Sequence, residues 1–294
     1  MPTTTTITTP TNPPSYTTTS LTLSPSRSFT PTISLRLLTP GIPFISPPFL
    51  PPPPTPIPIF SLYSSSDPPL YISHRPSRSS GSHYLTSSSS SSQKILSTTT
   101  YKFGPSRPPQ IRLYSPTTTT TASSYFSSQQ EESEADSFPI TSTSLFSRTQ
   151  TFKTHLGTFQ WRYASRVERK QLSTPSSSSS LLLLERVTNI YDTPSSTKPE
   201  QITTTIGKFI RNEQTRTEEK STKHSAGNGG ILLLDLTKLD DHYDYDDDIN
   251  HHHYDDDEKE REKSSPEKEK EIMTIMAVTT CLVMLKKEID RRRT

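Results

Sequence analysis

Near its C-terminus the chain contains Ile272–Leu285, with the sequence IMTIMAVTTCLVML. Every residue of this segment is apolar or small apart from Thr274, Thr279 and Thr280, so a helix built from it has no polar face. Helices that are hydrophobic on all sides are buried in a protein core or a membrane. Because the segment is shorter than the ~20 residues that span a bilayer, it predicts a buried helix, with membrane insertion as the weaker alternative.

Capping signals extend this helix in both directions. Ser265 can cap its N-terminus and Pro266 suits its first position, which gives a helix running to about Arg292. Its last turns carry a cluster of cations that are candidates for contact with anionic lipid or nucleic acid, or for a nuclear import signal: Lys286, Lys287, Arg291, Arg292 and Arg293. The favoured alternative is a solvated helix end that complements the helix dipole.

Strand patterns precede the helix. Phe159, Trp161 and Tyr163 occupy alternate positions, which is typical of a half-buried strand. A second basic group alternates with these residues and follows them, as is typical of an exposed strand: Arg162, Arg166, Arg169 and Lys170. Further strands are predicted at Leu181–Leu184 and Ile202–Ile210 and, after a turn at Gly227–Gly230, at Ile231–Leu236. The predicted structural core comprises Phe159, Trp161, Tyr163 and Leu282.

The first half of the chain has a different composition. Of the 28 prolines, 24 lie at or before Pro139, and long Ser and Thr runs are concentrated in the same half. Only 28% of the whole chain is hydrophobic, against the ~45–50% of ordinary globular proteins. Such segments bury too little apolar surface to offset the entropy lost on folding. We therefore predict a disordered arm over residues 1–150 and one small α+β domain over 151–294, with disordered inserts near 173–180 and 240–265.

The arm contains two features with functional interpretations. Residues 35–62 are apolar but rich in proline, which favours polyproline II over a helix; a ligand for SH3, WW or EVH1 grooves and a linker are the alternatives, and the linker is favoured. Ser/Thr-Pro pairs are candidate phosphorylation sites on a flexible chain. They include Ser24-Pro25, Thr30-Pro31, Thr39-Pro40, Ser46-Pro47 and Ser115-Pro116.

The acidic insert Asp240–Glu258 contains ten Asp and Glu residues together with His242 and His251 to His253. Imidazole and carboxylate groups can bind metal ions. A specific site needs fixed geometry and supporting groups around its ligands, and this stretch has neither regular loop spacing nor a cysteine. A solvated low-complexity segment is the favoured interpretation, so no metal or cofactor site is predicted.

Five blocks together resemble a group of fungal proteins with a tubby C-terminal-like domain, related to the LURP-one fold. The blocks are Leu156–Tyr163, Leu181–Val187, Gly207–Arg216, Ala226–Leu236 and Thr279–Arg293. The resemblance covers about residues 150–294. It implies a β-barrel-like sheet closed around a hydrophobic C-terminal helix. Tubby domains bind phosphoinositides, but their lipid-contacting positions have no counterparts that we can assign in this sequence.

No catalytic motif or dinucleotide fingerprint is present, and the single Cys281 lies in the apolar helix. The net charge of +2 gives no specific nucleic-acid signature. No apolar signal segment follows Met1 and no glycosylation sequon occurs, which favours a cytoplasmic or nuclear location. We therefore predict a non-enzymatic interaction protein with a phosphorylatable arm and an unidentified protein partner. The alternative is a peripheral membrane protein that binds anionic lipid through its C-terminal basic residues.

Overall fold

The computed structural model describes residues 28–42, 56–63, 68–76, 81–88, 94–102, 107–114, 136–142, 147–172, 180–190, 200–212, 215, 226–242 and 265–293. Thirteen strands in this part of the chain form a single antiparallel sheet. They are β1 (Ile33–Ile42), β2 (Ile57–Ser61), β3 (Tyr71–His74), β4 (His83–Ser87), β5 (Ile95–Thr100), β6 (Gln110–Leu113), β7 (Asp136–Pro139), β8 (Thr141–Ser142), β9 (Gln150–Thr154), β10 (Gly157–Tyr163), β11 (Ser180–Ile190), β12 (Glu200–Arg211) and β13 (Ala226–Leu234). The helices are α1 (Arg166–Leu172), a 3-10 helix (Leu236–His242) and α2 (Pro266–Arg293).

The sheet curls into a nearly closed barrel. Each strand pairs with the next along the chain except at β7 and β8, and β13 returns to pair with β1. The two edges of this order are β7 and β8, which only Ile140 separates in sequence. Since β7 pairs with β6 and β8 pairs with β9, one bent segment joins both edges of the sheet.

Aromatic side chains fill the seam where the barrel closes. The ring of Phe138 on β7 stacks on Phe152 of β9 with centroids 5.5 Å apart, and Phe152 stacks on Phe159 of β10 at 5.6 Å. At the edge of the seam, His155 Nδ1 lies 2.7 Å from the Asp136 carboxylate. Stacked aromatic pairs of this kind add to the free energy of burial, so the seam is held by packing as well as by the chain itself.

Helix α2 occupies the interior of the barrel. Its residues from Met273 to Leu285 are all buried, and they pack against inward-facing side chains from both halves of the sheet. The predicted barrel-like sheet around a buried C-terminal helix is thus confirmed. The all-apolar segment has a direct physical reason, because a helix surrounded by strands has no side that faces water.

The boundary predicted at residue 150 is wrong. Residues 33–142 supply eight of the thirteen strands, β1 to β8, so the folded domain begins far upstream of Thr151. The polyproline II conformation predicted across residues 35–62 is also wrong where that range is described, since β1 covers its start and β2 lies near its end. Residues 43–55 lie outside the described part of the chain. Residues 1–27 of the predicted arm lie outside the described residues.

Threonine and proline explain why composition misled the prediction for the first half. Threonine is β-branched and favours strands; in β5, Thr98 and Thr99 are buried. In β2, Ile57 and Ile59 are buried while Pro58 between them is only partly buried, so proline occupies the outer face. Pro40 lies where the pairing of β1 with β13 shifts register, a position at which a missing amide donor is tolerated.

The predicted inserts and turn are partly revised. The insert near 173–180 ends where Ser180 begins β11, and residues 173–179 lie outside the described part of the chain. The insert near 240–265 begins inside the 3-10 helix, and residues 243–264 are likewise outside it. The turn predicted at Gly227–Gly230 is instead the start of β13, where a side chain on Gly229 would collide with the backbone of β1.

Candidate functional site

The direction of α2 distinguishes the two ends of the barrel. At its C-terminal end, Asp290 accepts a hydrogen bond of 2.7 Å from the hydroxyl of Tyr101, the residue that follows β5. Lys287 donates one of 2.5 Å to the side chain of Gln150, at the start of β9. These contacts place the loops around residues 101 and 150 at the same end of the barrel as the last turns of α2.

Exposed cations are concentrated at this end. Arg148 stacks over Tyr163 with its guanidinium carbon 5.9 Å from the ring centroid, and α1 begins three residues after Tyr163. Lys102 directly follows Tyr101, and Arg107 precedes β6, whose first residue Gln110 pairs with Pro139. We call the exposed cations of this end the basic pole: Lys102, Arg107, Arg148, Arg166, Arg169, Lys170 and Arg291.

Each described carboxylate at this end is paired with a cation. Asp290 forms an ion pair with Lys286, whose ammonium also lies 5.2 Å from the ring centroid of Tyr101. The neighbouring Arg75 adds a further positive charge beside Asp290. Glu288 accepts a bond of 2.5 Å from the buried guanidinium of Arg211. Each of these two carboxylates is thus engaged by at least one buried or half-buried cation.

A third carboxylate is neutralised where α1 folds back onto β10. Glu168 receives two hydrogen bonds from Arg162, at 2.7 and 2.9 Å, and Arg162 also bonds to Glu185 on β11. These contacts, led by the bond from Arg162, lower the pKa of Glu168 to about 2. Ser165 and Glu168 bond reciprocally to each other's backbone amides, which is a capping box that begins α1.

Lys287 differs from its neighbour Lys286. Its ammonium is bound by the neutral amide oxygen of Gln150, which is itself buried. Burial, followed by the nearby charge of Arg291, lowers the pKa of Lys287 to about 8, although Asp290 opposes the shift. An ammonium held this way adds to the positive potential of the barrel end, because its hydrogen-bond partner carries no charge.

The structure divides the C-terminal cation cluster that the sequence predicted. Lys286 is 6% exposed and Lys287 is half-buried, and both contact residues of the barrel wall. Arg291 is exposed. The side chains of Arg292 and Arg293 lie outside the described residues. Of the three cluster members whose side chains are described, only Arg291 faces solvent, so the cluster does not form the surface by itself.

The second predicted basic group reaches the same end of the barrel. Arg166, Arg169 and Lys170 are exposed on α1, whereas Arg162 is engaged by Glu168 and Glu185. The sequence pattern placed this group on an exposed strand and did not indicate α1, although Ser165 and Glu168 have the spacing of a capping box. It also missed Lys102, Arg107 and Arg148, because these residues lay in the segment that composition assigned to a disordered arm.

The predicted core residues lie in the interior. Phe159, Trp161 and Leu282 are fully buried, and Tyr163 is partly buried at the basic end of the barrel. Burial, with Glu288 as the next cause, raises the pKa of Tyr163. Cys281 is buried in α2, and burial raises the pKa of its thiol well above its usual range. A thiol of this kind is an inert apolar group.

Within the described part of the chain, no group of three or more His, Cys, Asp or Glu side chains has a metal-binding arrangement. The histidines of the predicted acidic insert from His251 to His253 lie outside that part. In the same described residues, no helix is both long and apolar enough to cross a bilayer.

Comparison of the chain with protein-family models, with curated proteins and with solved structures found no match.

Proposed function

We propose that this chain is a non-enzymatic binding protein that docks on an anionic membrane surface through the basic pole. The observation that carries the proposal is a separation of charge at one end of the barrel. Seven exposed cations lie there, while the described carboxylates of that end, Glu168, Glu288 and Asp290, are each engaged by a cation. The described residues of this end therefore carry an excess of positive charge, although the net charge of the chain is only +2.

The shape of this end favours a flat surface as the partner. The cations come from the loops around Lys102 and Arg148, from α1 and from the last turns of α2, so they lie along the part of the rim that runs from β5 across the seam to β11. A rim can bring many cations to a plane at once, which suits the headgroup layer of a bilayer. On α1, Val167 is 65% exposed between Arg166 and Glu168, and an apolar side chain beside cations is typical of segments that lie at a membrane interface.

The expected strength follows from the number of cations. Each Lys or Arg near an anionic leaflet contributes about 1 kcal/mol, and the attraction is lost beyond a Debye length. Neutralising three exposed cations should therefore weaken binding by about 3 kcal/mol, or on the order of 100-fold. Because negative surface potential is a property of the cytoplasmic leaflet, we propose a cytoplasmic location.

Vesicle flotation of the full chain tests the proposal. We expect the protein to float with phosphatidylcholine vesicles only when phosphatidylserine is included, and to be released at high ionic strength. The triple variant R166Q/R169Q/K170Q should lose on the order of 100-fold in partitioning, because three exposed charges are removed. The variant leaves the Arg162–Glu168 contacts intact, so α1 should keep its position on β10.

A matched control comes from the opposite end of the barrel. Lys153, Lys268 and Lys270 lie near the N-terminal end of α2 or the turn between β9 and β10, and K153Q/K268Q/K270Q removes the same charge. Binding should be nearly unchanged in this variant. Equal losses in the two triple variants, or flotation with phosphatidylcholine alone, would show that the basic pole is not the docking surface.

The family resemblance remains a proposal of its own. We propose that the domain belongs with the tubby C-terminal-like proteins, and the support is architectural: an antiparallel barrel encloses a hydrophobic C-terminal helix. The role of the interior is consistent with binding at the surface rather than chemistry within. Two polar pairs between α2 and the barrel wall, Trp161–Thr280 and Ser97–Thr279, form structural hydrogen bonds.

A further inference from the structure

The segment 28–32 precedes β1 and lies across the end of the barrel opposite to the basic pole. Thr32 donates its amide to the carbonyl of Leu234 at 2.7 Å, and its hydroxyl accepts the amide of Leu236 at 3.1 Å. Thr30 donates its amide to the carboxylate of Asp235 at 2.9 Å. We call residues 28–32 the N-terminal strap, since these bonds fasten it to the end of β13 and the start of the 3-10 helix.

Two lysines lie beneath the strap. The ammonium of Lys208 lies 4.1 Å from the ring centroid of Phe29, and that of Lys238 lies 5.8 Å from the same centroid. Burial and the charge of Lys238 lower the pKa of Lys208, while Asp235 opposes the shift. The two ammonium groups are therefore close enough to repel each other, and Phe29 is packed against both.

Asp235 is the carboxylate that these lysines share, and it is already engaged. It accepts hydrogen bonds from the amide of Thr30 and from the hydroxyl of Thr237 at 2.6 Å, and it forms an ion pair with the ammonium of Lys238 at 3.8 Å. Counted over Lys208, Lys238 and Asp235, the charge beneath the strap is +1. An anion attached to Thr30, the residue after Phe29, would therefore be added beside a group of charges with a net positive sum.

Thr30 is placed where a kinase can reach it. Its side chain is exposed and Pro31 follows it, with Arg27 three positions before. Thr39, which also precedes a proline, is buried in β1. Ser265 precedes Pro266 and is exposed, but it caps α2 beside Glu267 and Glu269. The remaining Ser/Thr-Pro pairs lie outside the described residues.

We propose that Thr30 is a phosphorylation site whose phosphate is held by Lys208 and Lys238, so that modification fastens the N-terminal strap to the barrel. In the reaction the Thr30 hydroxyl attacks the γ-phosphorus of a nucleoside triphosphate. The bond to the diphosphate leaving group breaks, the Oγ1–P bond forms and the hydroxyl proton is released. Phosphate adds ~1.5–2 negative charges with three acceptor oxygens, and its bonds to ammonium groups are charge-assisted.

The attraction should exceed the repulsion from Asp235. The long side chains of Lys208 and Lys238 can turn toward a phosphate on Thr30, although Lys238 must then exchange its bond of 3.3 Å to the Thr205 carbonyl. The Asp235 carboxylate is held by the backbone amide of Thr30 and the hydroxyl of Thr237. Desolvated ion pairs are screened less than exposed ones, and Lys238 is only 10% exposed. The proposal is independent of membrane docking, since it concerns the other end of the barrel.

The test is to phosphorylate the full chain with a proline-directed kinase and ATP, and to locate phosphate by mass spectrometry. We expect Thr30 to be modified, Tm to rise by about 2–4 °C, and trypsin to cut more slowly after Arg27. The T30A variant treated in parallel should show no such rise, which separates Thr30 from other modified sites. S265A is the matched Ser/Thr-Pro control and should retain the rise.

Removing the ammonium groups of Lys208 and Lys238 tests whether they hold the phosphate. In K208Q/K238Q the shift in Tm on phosphorylation should vanish or change sign; because this shift is measured within the variant, any loss of stability caused by the substitutions cancels. The proposal is overturned if the kinase leaves Thr30 unmodified, if phosphorylation leaves the Tm of the parent unchanged or lowers it, or if the rise persists in K208Q/K238Q.

Discussion

The indole Nε1 of Trp161 donates a hydrogen bond of 2.9 Å to Thr280 Oγ1, joining β10 to the middle of α2. Both residues are fully buried. The Thr280 hydroxyl in turn donates 2.8 Å to the carbonyl of Met276, one turn earlier in the helix. A polar group in an apolar core costs free energy unless it has a partner, so this pair satisfies two groups at once and fixes the rotation of the helix within the barrel.

Substitution of Thr280 by Val should destabilise the protein by about 1–3 kcal/mol, because the indole N–H then has no acceptor in the core. Thr280→Ser keeps the hydroxyl and should cost about 1 kcal/mol for the lost methyl group. Urea unfolding followed by the fluorescence of Trp161, the only tryptophan in the chain, measures both variants.

Making Thr280→Val in a Trp161→Phe protein separates the free energy of the hydrogen bond from that of packing. In Trp161→Phe the donor is absent, so Thr280→Val should cost much less there than in the parent, with unfolding followed by circular dichroism. Such a double-mutant cycle isolates the coupling between two residues in contact. Equal costs in both backgrounds would show that the hydrogen bond contributes nothing to the stability.

The sequence predicted which residues of the C-terminal half lie in the core better than it predicted where the folded domain begins. The absence of a polar face on Ile272–Leu285 predicts burial on all sides, and a closed sheet is what satisfies that requirement. Period-two aromatic residues predicted β10 in the same way. Both patterns lie within a single helix or strand, so they can be recognised without knowing which elements are neighbours in the fold.

The strands of the first half were not predicted, because the Ser/Thr/Pro-rich composition obscured their sequence patterns. Short threonine-rich and proline-containing strands such as β2 and β5 gain their stability from neighbours on both sides, and those neighbours are distant in sequence. Pairs such as β1 with β13 join residues about 200 positions apart. Alternation in Ile57-Pro58-Ile59 was a usable local signal, since both isoleucines are buried.

The candidate site was predictable only in part, for the same reason. The basic residues of α1 and of the end of α2 were identified from the sequence, but their convergence at one end of the barrel requires the topology. Likewise, the i,i+4 spacing of Lys286 and Asp290 permits an ion pair on the helix, but nothing in the sequence alone indicates that Lys286 is buried while Arg291 stays exposed.

The buried His83 should make the protein sensitive to acid. Its ring bonds to the carbonyl of Gly81 at 3.1 Å and to Thr99 Oγ1 at 3.2 Å. Burial lowers its pKa to about 4, and the nearby charge of Arg75 acts in the same direction against the bond to Gly81. Since the unfolded state has a pKa near ~6.5, it binds more protons than the folded state between pH ~6.5 and ~4. The unfolding free energy should therefore decrease as the pH falls through that window, by up to about 3 kcal/mol.

Urea unfolding at a series of pH values measures this effect, and His83→Gln provides the comparison. Carboxylates and the other histidines titrate in both proteins, so the difference between their pH profiles isolates His83. The variant should have a flatter profile between pH ~6.5 and ~4. Parallel profiles would mean that His83 takes up its proton in the folded protein as readily as in the unfolded one.

The fragment 147–294, which contains all of the domain that sequence analysis predicted, should not fold by itself. It retains β9 to β13 and α2 but loses the eight strands β1 to β8. Two strand edges are then unpaired, at β13 and at β9, and exposed edges of this kind lead to aggregation. Inward-facing residues such as Leu35, Leu85 and Ile111 are also removed from around α2, so part of an all-apolar helix would face water.

Expression of 147–294 beside 28–294 tests this, with solubility and size-exclusion chromatography as the measurements. We expect 28–294 to be a folded monomer and 147–294 to be insoluble, and co-expression with 28–146 should restore solubility if the two halves reassemble across β1–β13 and the seam. A soluble monomeric 147–294 with strand signal in circular dichroism would contradict the closed barrel and restore the domain boundary at residue 150.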